Sequence, residues 1–320
     1  MGSRSDWRHL FDRIANDNHS GASDLAQNCS RALVAYSEQE QPQTIQDITF
    51  ALSQSSLKLL TRHPTIAGLV RILNDIFLGL AQVETARLGL VQIRRISNEH
   101  IAWVEQANSL LVERTLEILP HTGTILTISY SSAVAKSLLL ARQQGYKHTV
   151  ICLESRPLFE GRELANFLGK NGIKTILMTD ASAVAASARA NLFLVGADSL
   201  TMRGVVNKVG TRLVSLAAAS YQLPCTLVSD SSKIWPEKAP FLPFAEHDPN
   251  EVWPKAPSSV NVSNIYFDET PWECFSSIIT ERGLTHLQQI IDNAAQIEVH
   301  QSVLNLLASI PPRIREFDST

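Results

Sequence analysis

The spacing of apolar residues divides the chain into a first part with helical periodicity and a second part in which short apolar runs alternate with helical segments. In the first part, which ends near residue 115, apolar residues recur at helical spacing over 48–60, 66–80 and 101–119. Strand patterns are nearly absent there. We therefore predict that this part is helical.

The pattern changes at Gly123. Short apolar runs predict strands at 124–128, 149–153, 175–178, 192–195 and 225–229. The segments between them predict helices at 133–144, 163–170, 181–190 and 211–221. Strands that alternate with helices of this length indicate βαβ units, so the second part is predicted to be an α/β fold around a parallel sheet.

The end of the chain is predicted to be less regular at first and then helical. Residues 235–257 contain six prolines and no clear periodicity, so we expect an irregular excursion across the surface or along the rim of a site. Residues 260–267 predict one more strand, and the remainder predicts helices.

The composition, 44% apolar and 18% charged, is that of an ordinary globular protein. No apolar stretch reaches the roughly 18 residues of a membrane span, and the polar N-terminal segment lacks the apolar centre of a signal peptide. We therefore expect a cytoplasmic protein without a membrane partner. A net charge of −3 argues against a chain built mainly to coat nucleic acid, although a local basic pocket stays compatible with it.

The four cysteines, Cys29, Cys152, Cys225 and Cys274, lie far apart and show no metal-binding spacing. Three of them have apolar neighbours, so we expect buried free thiols. Neither a metal ion nor an organic cofactor is predicted.

Candidate ligand contacts follow the apolar run 192–195. Asp198 comes directly after it, and Asn207 and Lys208 precede Gly210, where a helical segment begins. Ligands of open α/β sheets bind outside the carboxyl ends of the strands, where these three side chains would lie. A loop with one capping carboxylate and two solvated side chains explains the same pattern.

Two further clusters follow the first two predicted strands. Arg156 stands near Gly161 at a helix start, and its guanidinium suits a phosphate, although an isolated arginine is more often solvated. The segment 129–132 is rich in serine, which is also the commoner composition of a helix cap. Polar residues after three strands nevertheless converge on one edge of the predicted sheet.

A series of fragments, weak singly but specific in their order and spacing, runs through most of the chain. The series comprises Ser20-Gly21-Ala22-Ser23, His63-Pro64-Thr65, Ile125-Leu126-Thr127, Glu154-Ser155-Arg156-Pro157, Gly196-Ala197-Asp198, Asn207-Lys208-Val209-Gly210-Thr211, Phe267-Asp268-Glu269-Thr270-Pro271 and Ile279-Thr280-Glu281-Arg282-Gly283. It resembles the superfamily that joins the alpha, beta and delta subunits of translation initiation factor 2B with methylthioribose-1-phosphate isomerase and ribose-1,5-bisphosphate isomerase. The resemblance implies a helical N-terminal domain (1–118), a Rossmann-like α/β domain with C-terminal helices (119–320) and a dimer formed largely through the latter.

The resemblance also implies a catalytic pair and shows one departure from it. Asp198 matches the aspartate that moves protons in the isomerases, and Ser129 matches their cysteine, with Ile128 in place of the preceding histidine. A serine hydroxyl is a far weaker acid than a thiol and needs an adjacent base.

The other implied ligand contacts come from both domains. Arg156, Asn207 and Lys208 match substrate contacts of the isomerases, and Gly21-Ala22 matches an N-terminal glycine motif. In this chain Ser20 and His63 stand where the family has basic residues. The resemblance therefore supports phosphate binding by the Rossmann-like domain better than by the helical one.

These features favour an initiation-factor-2B-like protein that binds a sugar phosphate or nucleoside monophosphate without isomerising it, as a ligand-sensing or scaffolding subunit. The alternative is an aldose-ketose sugar-phosphate isomerase in which Asp198 carries the proton transfer and Ser129 replaces the cysteine. A third hypothesis is a structural subunit with a relic pocket. The expected partners are the phosphorylated ligand, a second copy of the chain and a translation factor.

Overall fold

A computed structural model describes residues 6–242 and 244–311, which group into two compact units. The first unit contains the described residues of Met1–Gln106, Ser232–Pro243 and Asp292–Pro312, and the second contains the described residues between them. This grouping differs from a division after residue 118. The helix that contains residue 118 begins within the first unit, and the last helix packs on two helices of that unit.

The start of the chain is helical, as its periodicity predicts. The helices are α1 (Trp7–Ala15), α2 (Ala22–Gln39), α3 (Ile45–Arg62), α4 (Ala67–Leu80) and α5 (Ala86–Ile118). Helix α3 begins with a reciprocal cap, because Thr44 Oγ1 accepts from the Asp47 N–H at 3.1 Å and the Asp47 carboxylate accepts from the Thr44 N–H at 2.9 Å. Helices α1 to α4 pack against one another, and Tyr36 of α2 is fully buried, with its ring edge-on to Trp7 of α1.

The last helix, α11 (Gln301–Ala308), packs on α3 and α4. The segment before it is held by Asn74 of α4, which is completely buried. The Asn74 amide nitrogen donates to the Glu298 carbonyl, and its amide oxygen accepts from the His300 N–H, both at 2.8 Å. The buried amide is thereby satisfied at both ends.

The second unit is built on a seven-stranded sheet. Its strands are β1 (Thr122–Ile128), β2 (Lys147–Leu153), β3 (Lys174–Met178), β4 (Leu192–Val195), β7 (Cys225–Val228), β9 (Ser277–Thr280) and β10 (Gly283–Leu284). Their order is β10-β9-β7-β4-β1-β2-β3, and every pair is parallel except β9 with β10. The order from β3 through β2, β1 and β4 to β7 and β9 is that of a Rossmann fold.

The connecting helices are α6 (Ser132–Gln143), α7 (Glu160–Lys170), α8 (Ala183–Ser187) and α9 (Thr211–Ser220), and α10 (Leu287–Gln296) follows the sheet. Leu138 of α6 and Leu164 of α7 enter one apolar cluster with Ile125 of β1 and Val150 of β2. All four residues of β4 are buried, as expected for a central strand. The predicted α/β class is therefore confirmed.

A second, antiparallel sheet is the main feature that the sequence pattern did not predict. It consists of β5 (Ser199–Leu200), β6 (Gly204–Lys208) and β8 (Phe267–Pro271), in that order. The segment 204–208, for which the apolar pattern predicted no strand, is thus a fully buried strand, β6. A Cβ on Gly204 would lie 2.3 Å from the Thr270 carbonyl oxygen, so glycine permits the close approach of β8.

Three smaller predictions are corrected. The expected strand over 260–267 is wrong: up to Tyr266 this segment contributes one isolated bridge, between Ile265 and Glu246, and the strand is β8. The segment after β8 forms a 3₁₀ turn (Trp272–Cys274), β9 and β10 before the next α-helix begins. The expected helix over 181–190 is shorter, a 3₁₀ turn followed by α8.

Within the described residues, no helix is both long enough and apolar enough to cross a membrane.

Candidate functional site

The sheet reverses its winding between β1 and β4, and the loops that follow these two strands meet. Strand β1 is continued on one side by β2 and on the other by β4. A Cβ on Gly196, after β4, would lie 2.5 Å from Ser131 Oγ, after β1, so the two loops are in direct contact. Such a reversal is the usual ligand-binding crevice of an open α/β sheet.

Ser129 lies at this reversal, in a left-handed backbone conformation with φ of 65°. Its N–H donates to Ser155 Oγ at 2.7 Å, which ties the end of β1 to the end of β2. Across residues 6–242 and 244–311, no side chain forms a hydrogen bond with the Ser129 hydroxyl. Ser131 is the N-cap of α6, and its hydroxyl accepts from the Val134 N–H at 3.4 Å.

Asp198 is half-buried directly after β4. Its N–H donates to the Val206 carbonyl at 2.8 Å, where the pairing of β5 with β6 begins. The second sheet therefore fixes the backbone that carries this carboxylate. The structure brings Ser129 and Asp198 to the same edge of the main sheet, on loops that touch.

Lys208, at the end of β6, is 3% exposed and is already neutralised by a carboxylate. Its Nζ donates to Glu160 Oε1 at 2.8 Å and lies 5.1 Å from the centre of the Tyr266 ring. Glu160 is the first residue of α7, and its other carboxylate oxygen is buried without a hydrogen-bond partner. The pair connects the second sheet to the helix that follows β2.

Asn207 is buried and contributes to the start of α9. Its amide nitrogen donates to Thr211 Oγ1 at 2.9 Å. Opposite it on β8, Asp268 Oδ2 accepts from the N–H groups of Gly210 at 2.8 Å and Arg212 at 3.4 Å. Both side chains thus bind residues at the N-terminus of this helix, a role that the sequence pattern did not distinguish from ligand contact.

The Asp268 carboxylate is held largely away from water, and its Oδ1 is buried without a hydrogen-bond partner. Burial raises the pKa of Asp268 to about 6, against the lowering effect of the N–H groups of Gly210 and Arg212. The motif Phe267-Asp268-Glu269-Thr270-Pro271, part of the family resemblance, is the sequence signal that could have singled this residue out.

Arg156 is exposed at the end of β2. The N–H groups of Ser155 and Arg156 donate to the two oxygens of Asp180 at 2.8 and 2.7 Å, which fixes the loop. The Arg156 guanidinium donates to the Val252 carbonyl at 2.7 Å and lies 4.9 Å from the centre of the Phe159 ring. The proline-rich segment 235–257 therefore contacts Arg156 through Val252. This contact fits the expectation that the segment runs along the rim of a site.

Gly21 and Ala22, the remaining candidate contacts, lie at the start of α2 in the first unit. A Cβ on Gly21 would meet no atom within 4 Å, so this position is open. His63 is buried, and its Nε2–H donates to the Ile14 carbonyl at 2.9 Å. Burial lowers the pKa of His63, so the imidazole favours its neutral form and does not replace the arginine that the family has there.

All four cysteines are free, and Cys29, Cys152 and Cys225 are buried. Burial raises the pKa of each of these three thiols to about 12, so none is a reactive thiolate near neutral pH. None of them follows β1, where the isomerase cysteine is expected. Across the described chain, no group of three or more His, Cys, Asp or Glu residues could hold a metal ion.

Comparison with known proteins identifies the family of this fold. The model of the initiation factor 2 subunit family matches residues 18–286, which include both the start of α2 and the whole crevice. The chain belongs to the initiation factor 2 subunit family. The proteins that it resembles have names of two kinds, isomerases and translation factors.

The first kind is an isomerase. The chain is 28% identical over 295 residues to the ribose 1,5-bisphosphate isomerase of Pyrococcus furiosus, covering 88% of this chain and 91% of that protein. The second kind is a translation factor. A putative translation initiation factor eIF-2B subunit 2-like protein of Pyrococcus horikoshii is 29% identical over 266 residues, with 82% and 90% covered.

Solved structures of the initiation factor 2 subunit family share the fold. The crystal structure of a translation initiation factor eIF-2B of Pyrococcus horikoshii superposes with a TM-score of 0.78 at 26% identity, over 90% of this chain and 99% of that one. The 5-methylthioribose 1-phosphate isomerase of the same organism superposes with a TM-score of 0.68 at 22% identity and supports the fold alone.

Proposed function

We propose that the protein binds a sugar phosphate or a nucleoside monophosphate at the crevice between β1 and β4 and does not isomerise it. The observation that carries the proposal is the environment of Ser129. Its hydroxyl occupies the position at which the family resemblance implies a thiol, and no base among the described residues binds it. An unassisted hydroxyl is a poor proton donor near neutral pH.

The surrounding polar groups support ligand binding. Asp198 is half-buried beside the serine-rich end of β1, where a carboxylate can accept hydrogen bonds from sugar hydroxyls. The N-terminus of α6 also lies there, and its N–H groups suit a phosphate. Lys208 is paired with Glu160, so we assign it to orienting the site rather than to neutralising the phosphate. The protein would then act as a ligand-sensing or scaffolding subunit.

An isomerase remains the second candidate, and one observation favours it. The contact between Gly196 and Ser131 brings the loop of Asp198 against the loop of Ser129, which is the juxtaposition that an acid-base pair requires. In that function Asp198 would move the proton between the two carbons of an aldose phosphate. Relatives named as isomerases, at 28% identity, are consistent with it.

We further propose that the working form is a homodimer and that a translation factor is a partner. Helix α9 exposes Leu213 and Leu216, and α8, which packs against α9, exposes Val184. Apolar side chains grouped on two adjacent helices are typical of a subunit interface. Two-fold pairs are the commonest oligomers. The translation-factor partner rests on the family alone.

The test combines binding with turnover. Titration calorimetry with ribose 1,5-bisphosphate, methylthioribose 1-phosphate, ribose 5-phosphate and AMP is expected to show binding of at least one, and NMR of that mixture is expected to show no ketose. Ser129→Cys, compared with Ser129→Ala, tests whether a thiol restores turnover. Wild-type turnover of roughly 1 per second or more, abolished by Asp198→Asn, would establish the isomerase instead. Binding of none of the four would refute the ligand class.

A further inference from the structure

The first unit contains a cavity of about 450 Å³ beside α5, which belongs to no part of the site described above. It is lined by residues of one face of α5 (Arg87, Leu90, Val91, Arg94, Asn98) and by Ser37 of α2. Residues 87, 91, 94 and 98 follow helical spacing, so they form a continuous stripe along α5. The volume lies within the range of small-ligand sites, about 300–1,000 Å³.

The cavity carries two cations that are not neutralised. No carboxylate of the described residues forms an ion pair with Arg87 or Arg94. Arg94 is oriented by Ser37, because its Nε donates to Ser37 Oγ and its Nη2 to the Ser37 carbonyl, both at 3.3 Å. A third lining arginine, Arg95, is different: it binds Glu99 at 2.7 Å, so its charge is compensated.

An apolar surface lines the same cavity as these two cations. Leu90 and Val91 line the cavity, and Val91, in the second turn of α5, is 57% exposed. Leu88, three residues before Val91 in α5, is 49% exposed. Exposed branched apolar side chains flanked by uncompensated guanidinium groups match a ligand that has both an apolar body and an anionic group.

We propose that this cavity binds a small organic anion. Its phosphate or carboxylate group lies between Arg87 and Arg94, and its apolar body lies against Leu90 and Val91. The guanidinium of Arg94, already oriented by Ser37, loses little side-chain freedom when the anion binds. This site is independent of the sugar-phosphate crevice proposed above, since all of its residues belong to the first unit.

The test uses 1-naphthyl phosphate as the probe, with inorganic phosphate and 1-naphthol as its separate halves, measured by titration calorimetry on the full chain. We expect the probe to bind more tightly than either half. Arg87→Ala removes one charge-assisted contact and is expected to weaken binding roughly tenfold. Val91→Glu places a carboxylate in the cavity at an exposed position and is expected to abolish binding.

The matched control is Arg31→Ala, which removes an exposed arginine of α2 that binds only Asn28 and Gln27 of its own helix. Its affinity for the probe is expected to equal that of the wild type. The proposal is overturned if the probe does not bind, if Arg87→Ala and Val91→Glu leave its affinity unchanged, or if phosphate or 1-naphthol alone binds as tightly. Because Asp198→Asn and Ser129→Cys leave this cavity intact, failure here is separable from failure of the sugar-phosphate crevice.

Discussion

At the scale of single residues, side chains that the sequence marks as ligand contacts also have partners inside the protein. The sequence position of Lys208 suggests a cation that binds an anionic ligand. In the structure its ammonium group forms an ion pair with Glu160. Asn207 fits a sugar contact, yet its amide binds Thr211 at the start of α9. Substitutions at such positions act on stability as well as on binding.

Lys208→Ala is expected to lower the free energy of unfolding by about 3 to 5 kcal/mol, because it leaves the Glu160 carboxylate partly buried without its cation. Urea denaturation followed by circular dichroism measures the loss. The control is the double variant Lys208→Met with Glu160→Gln, which removes both charges and is expected to recover most of the stability. A single variant as stable as the wild type would contradict the buried pair.

Asp268 is expected to make stability depend on pH in an unusual direction. Its folded-state pKa of about 6 lies above the ordinary value of 3.8, so the folded protein binds more protons than the unfolded chain between these values. The contribution of Asp268 to the free energy of unfolding therefore falls as pH rises from 4 to 7, by about 2 to 3 kcal/mol.

Asp268→Asn isolates this contribution, since an amide oxygen can still accept from the Gly210 N–H. Urea denaturation at pH 4, 5, 6 and 7 is expected to show the variant gaining stability relative to the wild type as pH rises. A constant difference between the two proteins would show that Asp268 titrates normally.

At the scale of elements, the sequence predicted five strands of the main sheet but missed its strands β9 and β10 and the whole second sheet. Strands β1, β2, β4 and β7 are mostly buried and are separated by helices. Each therefore appears in the sequence as a short apolar run, which is enough to locate it. Strand β6 pairs with β8, about sixty positions later in the chain, and such nonlocal pairing leaves no local period. Nonlocal contacts limit the prediction of the site in the same way. The resemblance named Asp198 and Ser129, but it gave no sign that Lys208 pairs with Glu160, because Lys208 lies on β6 and is placed by the pairing with β8.

Helix α7 offers a paired test of packing between an element and the sheet. A Cβ on Gly161 would lie 1.7 Å from the Leu153 carbonyl oxygen, whereas a Cβ on Gly169 would meet nothing within 4 Å. Gly161→Ala is expected to destabilise the protein by about 3 kcal/mol, the upper end of the usual cost of overpacking, since backbone must move. Gly169→Ala in the same helix is expected to be neutral or stabilising, by up to about 1 kcal/mol. Thermal unfolding compares the two, and equal effects would contradict the close approach of α7 to β2.

At the scale of the whole molecule, the exposed leucines of α9 predict the oligomeric state. We expect multi-angle light scattering at micromolar concentration to show a dimer. Leu213→Glu with Leu216→Glu is expected to give a monomer, because two carboxylates would be desolvated at the interface. Phe50→Glu is the control, a still more exposed apolar residue on α3 whose replacement should leave the dimer intact. A wild-type monomer would refute the proposed assembly.

The buried amide of Asn74 binds a segment that the ribosome synthesises much later, so the packing of α4 is completed only after a delay. Its partner Glu298 lies 224 positions later in the chain, and α11, which follows, covers α3 and α4. At about 5–20 residues per second, roughly 11 to 45 s pass between the emergence of α4 and the arrival of its last partners. The first helices to be made are thus among the last to be completed, and during this delay their uncovered apolar surface is available to chaperones.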